Sequence, residues 1–202
     1  MPHAERDDSL SNATAERRVL LQVLALNLLL SAGLFATSIY ADSSGLLANA
    51  LDNASDSAVY AISYLAVGGS ARRKSVAASI SGAMLLVLAV GVAADALRRL
   101  LTGAEPVSGV MVAMGLVAAG INLWCLKLLR RLHTDDVNLR AAQTFSVNDF
   151  VSNVGVLVAA GLVAWTGRFW PDVVVGLAIA VVVGKGGLEI LRDARHTARS
   201  AR

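Results

Sequence analysis

An all-α membrane protein, a bundle of six transmembrane helices with both termini in the cytoplasm, is the fold class this sequence predicts, on three observations. Apolar residues make up 55% of the 202 positions and charged residues only 16%, against about 45–50% and 25% in an average soluble domain. Mean hydropathy is positive, at +0.60. Six stretches are each apolar over the roughly 20 residues that a helix needs to cross a bilayer: 19–41, 45–68, 76–97, 107–126, 141–165 and 173–191. With three prolines and no strand-like alternation, helices are the backbone form that satisfies its own hydrogen bonds in lipid, and a β-barrel is excluded.

The first span, Val19 to Ala41, follows a charged segment, 1–18, read as a cytoplasmic tail. Ala36 and Ala41 look like a signal-peptidase site, but the span is too long for a signal peptide and Glu5, Asp7, Asp8 and Glu16 are wrong for its leading region. Gln22 and Asn27 are neutral polar groups of the kind that bridge helices. The second span, Gly45 to Gly68, carries the strongest anomaly. Asn49, Asp52, Asn53 and Asp56 repeat at i, i+3, i+4 and i+7, which places four oxygen-bearing side chains on one face of an otherwise apolar helix.

In the third span, Val76 to Leu97, Asp95 is followed at i+3 and i+4 by Arg98 and Arg99, which predicts a local ion pair. The fourth, Val107 to Leu126, holds Gly115 and Ala119, small residues for close helix approach, together with Asn122 and Cys125. This single cysteine forms no internal disulfide and no thiolate metal site by itself, and it reads as a packing residue. The fifth, Ala141 to Trp165, has a second polar stripe, Ser146, Asp149 and Asn153, then Gly155 and Ala159 for packing. The sixth, Val173 to Leu191, precedes a charged segment, 192–202, read as a second cytoplasmic tail. Asp42 and Asp172 stand at the starts of the second and sixth helices, where the helix dipole favours acids.

Of the 18 Lys and Arg residues, 14 fall on the side of the tails and of the second and fourth connections. Only Arg98, Arg99 and Arg168 fall opposite, and Lys185 lies inside the sixth span. The positive-inside rule places the tails in the cytoplasm, in the cytoplasmic (inner) membrane, with Trp165 and Trp170 in the outer interfacial belt. A pI near 9.4 reflects these headgroup-facing residues rather than a nucleic-acid surface. His133, Asp135 and Asp136 form a solvated cytoplasmic loop.

Carboxylates at membrane depth are costly and mark function by default. Asp52 and Asp56 stand one turn apart, and two like charges in a low dielectric do not both stay ionised without a proton or a cation between them. A divalent metal meets that requirement, and Asp149 on the fifth span offers a third carboxylate with no basic residue at that depth. The structural alternative is three protonated acids or acid–amide pairs that only hold helices together.

The run Leu46-Leu47-Ala48-Asn49-Ala50-Leu51-Asp52-Asn53-Ala54-Ser55-Asp56, followed by Asn148-Asp149-Phe150-Val151-Ser152-Asn153-Val154-Gly155-Val156, resembles the cation diffusion facilitator family. The resemblance extends over all six spans. It implies homodimers that exchange zinc or a related metal for protons, with two ligands from each of the second and fifth helices. Asp52, Asp56 and Asp149 match three of those positions, and Asn153 matches a family asparagine one turn beyond. The fourth position, commonly His, is Phe145 here, which leaves Ser146, Asn148 or Asn153 to complete an oxygen shell, with Asn49 and Asn53 as further candidates. Such a shell leans toward harder ions such as manganese, although zinc also accepts Asp. Cobalt, cadmium and iron are the remaining alternatives. The resemblance further implies a short, membrane-only branch without the C-terminal cytoplasmic domain, so that a homodimer forms through its transmembrane helices. No resident cofactor is expected. An exporter of organic cations is the rival reading. A membrane metalloenzyme is not, for want of any H-E-x-x-H-like motif, and a non-transporting subunit is disfavoured by the cost of the buried acids.

Overall fold

The computed structural model describes the backbone of residues 2–66, 71–131 and 137–200, and the side chains of 17–62, 64, 75–76, 78–131 and 152–195. The described chain forms six helices: α1 (Pro2–Tyr40), α2 (Ser44–Ala66), α3 (Ala71–Thr102), α4 (Ser108–Arg130), α5 (Val137–Thr166) and α6 (Trp170–Ser200). Each expected span lies within or close to one of them. The helices run past the apolar limits because a helix continues wherever its backbone bonds are made, whereas a span ends where lipid ends. Thus α1 and α6 continue as helix into the charged segments expected to be tails.

Among the described residues, four helical segments are long and apolar enough to cross a membrane: Arg17–Tyr40, Ala78–Thr102, Ser108–Arg130 and Trp170–Arg195. A shorter apolar segment, Ser152–Thr166, lies on α5. α2 has the length of a span (23 residues) and is not among these four, since the Asn and Asp stripe read in its sequence lowers its apolarity. Its position supplies the physical reason. α2 packs against α1, α3, α5 and α6, and nearly every residue from Ser43 to Ala58 is buried. A helix enclosed by four others faces protein and not lipid, and so keeps a polar stripe at low cost. The lipid-side surface bears large apolar side chains such as Leu29, Val87, Leu101 and Val182.

The core is one long apolar cluster running through α1 to α6, including Leu34, Leu46, Leu85, Met111, Val156 and Val183, and a smaller one, Leu20, Val23, Tyr60, Cys125 and Leu129, joining α1, α2 and α4. Where lipid gives no hydrophobic drive, small residues set the approach distances. Gly115 of α4 seats Leu157 of α5, since a Cβ there would stand 2.9 Å from Leu157 Cδ2. Gly82 of α3 and Gly187 of α6 oppose each other backbone to backbone, a Cβ on Gly82 meeting the Gly187 carbonyl at 2.9 Å. The Ser75 hydroxyl donates to the Ala194 carbonyl (2.7 Å) along the same α3–α6 seam.

Asp95 pairs with Arg98 (2.8 Å) and Arg99 (2.6 Å) as its spacing predicts. Cys125 is buried, and the Asn27 amide, which also donates to the Val23 carbonyl (2.9 Å), lies 3.8 Å from its sulfur, so Asn27 does bridge α1 to α4. Asp172 does more than favour its own helix: it receives donors from the start of α2. The loop group His133, Asp135 and Asp136 lies outside the described residues.

Candidate metal centre between the second and fifth helices

The polar stripe of α2 is buried along its whole length: Asn49 0%, Asp52 8%, Asn53 0% and Asp56 2% exposed. Its amides are ordered by a chain of hydrogen bonds. Asn53 Nδ2 donates to the Asn49 carbonyl (2.9 Å) and to Asn49 Oδ1 (3.1 Å), and Ser57 Oγ donates to the Asn53 carbonyl (2.8 Å). Asn49 Nδ2 in turn donates across to Asn153 Oδ1 of α5 at 2.6 Å. This bond spans 104 residues of sequence and docks the two polar stripes on one another. The Ser152 hydroxyl of α5 lies near the Asp52 carboxylate.

The Asn49–Asn153 bond also fixes a register. α2 and α5 run in opposite directions, because the start of α2 and the α5–α6 connection meet at one end of the bundle. Four residues beyond Asn49 along α2 stands Asn53, next to Asp52, and four residues before Asn153 on α5 stands Asp149. One turn is about 3.6 residues, so the α5 position of Asp149 is level with Asp52 and Asn53. The position of Phe145 is level with Asp56. The side chains of Phe145, Ser146, Asn148 and Asp149 lie outside the described residues.

Among the described residues, Asp52 Oδ2, Asn53 Oδ1 and Asn153 Nδ2 are buried without a hydrogen-bond partner. Two of these are acceptors on the α2 stripe, and a buried acceptor left unmatched costs about 1–3 kcal/mol. Carboxylate and amide oxygens in such a place suit a hard or borderline divalent cation. No group of three or more His, Cys, Asp or Glu side chains that could hold a metal occurs among the described residues; the third carboxylate of the expected set, Asp149, is not among them. Asn49 and Asn153, both candidates as ligands, are drawn together here by their own hydrogen bond. Sequence reasoning passed over Ser152, although its place three residues after Asp149 put it on the same side of α5.

What decides the family is the match of residues 20–197 to the model of the cation efflux transmembrane domain. The chain belongs to that family. Its similarity to curated cation efflux proteins is modest: 26% identity to the zinc transporter ZitB of Escherichia coli over 125 residues, 60% of this chain and 39% of the relative. The cadmium, cobalt and zinc/H(+)-K(+) antiporter of Bacillus subtilis is 23% identical over 130 residues, 63% of this chain and 42% of the relative. The ZitB of Yersinia pestis is 24% identical over 164 residues, 75% of this chain and 53% of the relative. The chain thus spans about half or less of the length of the curated relatives it matches, and it covers their transmembrane part. Family membership and the apolar helices make it a multi-pass membrane protein of the cation efflux type.

Proposed function

We propose that this cation efflux chain moves a divalent metal cation, zinc or a related ion, out of the cytoplasm across the inner membrane in exchange for protons. Asp52, Asp56 and Asp149 are the ligands and Asn153 stands beside them. The observation that carries this reading is the docking of the Asp52/Asp56 stripe of α2 on the Asn153 stripe of α5 through the 2.6 Å Asn49–Asn153 bond, at buried depth. Relatives named as a zinc transporter and as a cadmium, cobalt and zinc/H(+)-K(+) antiporter support the substrate class.

In this mechanism the empty site holds protons, because adjacent acids do not share a low-dielectric site as anions. A metal arriving from the cytoplasm displaces those protons and neutralises the carboxylates. Rearrangement of the helices then opens the site to the other face, where protons rebind and the metal leaves. The same oxygens bind cation and proton by turns, so the inward proton gradient drives export. The active unit is a homodimer formed through transmembrane helices.

Proteoliposome flux tests this directly. An imposed pH gradient should drive zinc or manganese movement, and Asp52→Ala, Asp56→Ala and Asp149→Ala should each abolish it while leaving a folded protein. The organic-cation reading predicts flux of a quaternary amine and none of metal. It finds little support in the cavity of about 620 Å³ between α1, α2 and α3, which is lined by apolar residues such as Leu28, Phe35, Leu47 and Val92. Among the described residues that line it, the one hydroxyl, Ser31, already donates to the Ala50 carbonyl, and there is no carboxylate to recognise a cation.

A further inference from the structure

The α1–α2, α3–α4 and α5–α6 connections converge at the end of the bundle that the basic residues assign to the outside, and a buried carboxylate joins two of them. Asp172, in the first turn of α6 and 1% exposed, accepts hydrogen bonds from Ser43 Oγ (2.7 Å), Ser44 N–H (2.6 Å) and Gly45 N–H (3.0 Å). The two N–H groups are donors that the start of α2 cannot satisfy within its own helix, so α6 caps α2 with a charge-assisted clasp. The approach leaves no spare room. A Cβ on Gly45 would stand 2.6 Å from Asp172 Oδ1, and one on Gly176, a turn along α6, 2.7 Å from the Ser44 carbonyl.

A second set of bonds backs the clasp. Arg99 of α3, 5% exposed, pairs with Asp95 and with Asp42. Asp42 holds the left-handed backbone of the α1–α2 turn (φ 49°) and accepts the Glu105 N–H at 3.0 Å. The Val107 N–H donates to the Ala41 carbonyl at 3.0 Å. The α1–α2 turn is thus tied to α3 and to the α3–α4 loop, and the first residues of α2 to α6. The opposite end of α2 packs through Tyr60 in an apolar cluster with α1 and α4.

We propose that Asp172 is a positioning residue for transport: its clasp on Ser43, Ser44 and Gly45 shuts α2 against α6 and closes the path from Asp52 and Asp56 to this end of the bundle. The inference rests on the reading that the cation sits at those two acids. Asp52 lies seven residues past Gly45, about 10 Å at 1.5 Å per residue, so moving the start of α2 away from Asp172 opens the shortest way to the site. The clasp favours two discrete states. An α2 that leaves Asp172 strands three donors and a buried charge unless water fills the gap, so the end of the bundle is either shut and dry or open and wet.

The test places a thiol just inside the clasp. Leu46 is 0% exposed; Leu46→Cys in a Cys125→Ser background is reconstituted in liposomes and treated with a membrane-impermeant maleimide from the side of the α1–α2 turn. Labelling should be slow in this parent. It should rise about tenfold or more when Asp172→Asn removes the charge that sets the open and closed populations. Gly176→Ala, which wedges α6 from α2 without touching the carboxylate, should act the same way. Zinc affinity in detergent should stay within about threefold in both, because clasp and ligands are separate groups. Unchanged labelling in both folded variants would overturn the proposal. So would an equal rise at a control thiol, Leu85→Cys, because that would be general loosening. Absence of zinc binding in the parent would overturn the carrier reading instead, and the labelling rates would still decide the clasp.

Discussion

Around Asp52 and Asp56 the amides of the stripe are ordered by their own hydrogen bonds. Asn49 takes the Asn53 amide on one side and gives its own amide to Asn153 on the other. Replacing Asn153 with Leu removes the α5 acceptor of that bond and leaves a buried donor, so Asn153→Leu should lower stability in a denaturing-detergent titration by about 1 kcal/mol. A variant as stable as the parent would show that the bond does not hold the stripes together. At Phe145, whose α5 position is level with Asp56, Phe145→His should add an imidazole and shift preference toward zinc or cadmium over manganese in competition flux. Unchanged preference in a folded variant would remove position 145 from the ligand set and leave Ser146, Asn148 or Asn153 as the fourth donor. The α2 stripe was legible because its period is local: i, i+3, i+4 and i+7 are visible in eight consecutive residues, 49–56. The Asn49–Asn153 bond was not, since both residues stood out as polar but nothing in a sequence says which of two amides 104 residues apart will meet.

At the scale of helices, the α3–α6 seam is a close backbone contact set by Gly82 and Gly187. Gly82→Leu should destabilise the protein by about 1–3 kcal/mol through overpacking, read as a lower midpoint in thermal unfolding monitored by dispersion. Gly91→Ala, on the same helix with nothing within 4 Å of the added atom, should leave the midpoint unchanged or slightly raised. Equal effects at both positions would mean that the seam does not depend on close backbone approach. Glycine-rich spans announced close packing in the sequence, yet the positions that matter follow from how the helices cross, which a linear pattern does not contain. For the same reason α2 reads as less apolar than a span should be. Its neighbours α1, α3, α5 and α6 shield it, and hydropathy records the residue types of a helix without recording what surrounds them.

Taken whole, the molecule is asymmetric along its axis. Fourteen basic residues belong in the sequence to the tails and to the second and fourth connections, while the opposite end gathers the clasp of Asp172 and the Arg99 ion pairs. A small tag fused to either end of the chain should be reached by antibody only after the cytoplasmic face is opened; labelling of either tag on intact cells would reverse the direction of transport proposed here. The fold class was legible because bilayer physics imposes length and apolarity on each span. The clasp was hidden because Asp172 looks, in sequence, like any acid at the start of its own helix.

The central claim is that the α2 acids and Asp149 form one proton-exchanging divalent metal site. Titration calorimetry of the detergent-solubilised protein with zinc and with manganese, each in two buffers of different ionisation enthalpy, measures both binding and proton release. The account predicts one ion per chain, release of at least one proton per ion bound, and loss of binding in Asp52→Ala, Asp56→Ala and Asp149→Ala. Binding that releases no protons, or that survives in two of the three variants, would contradict it.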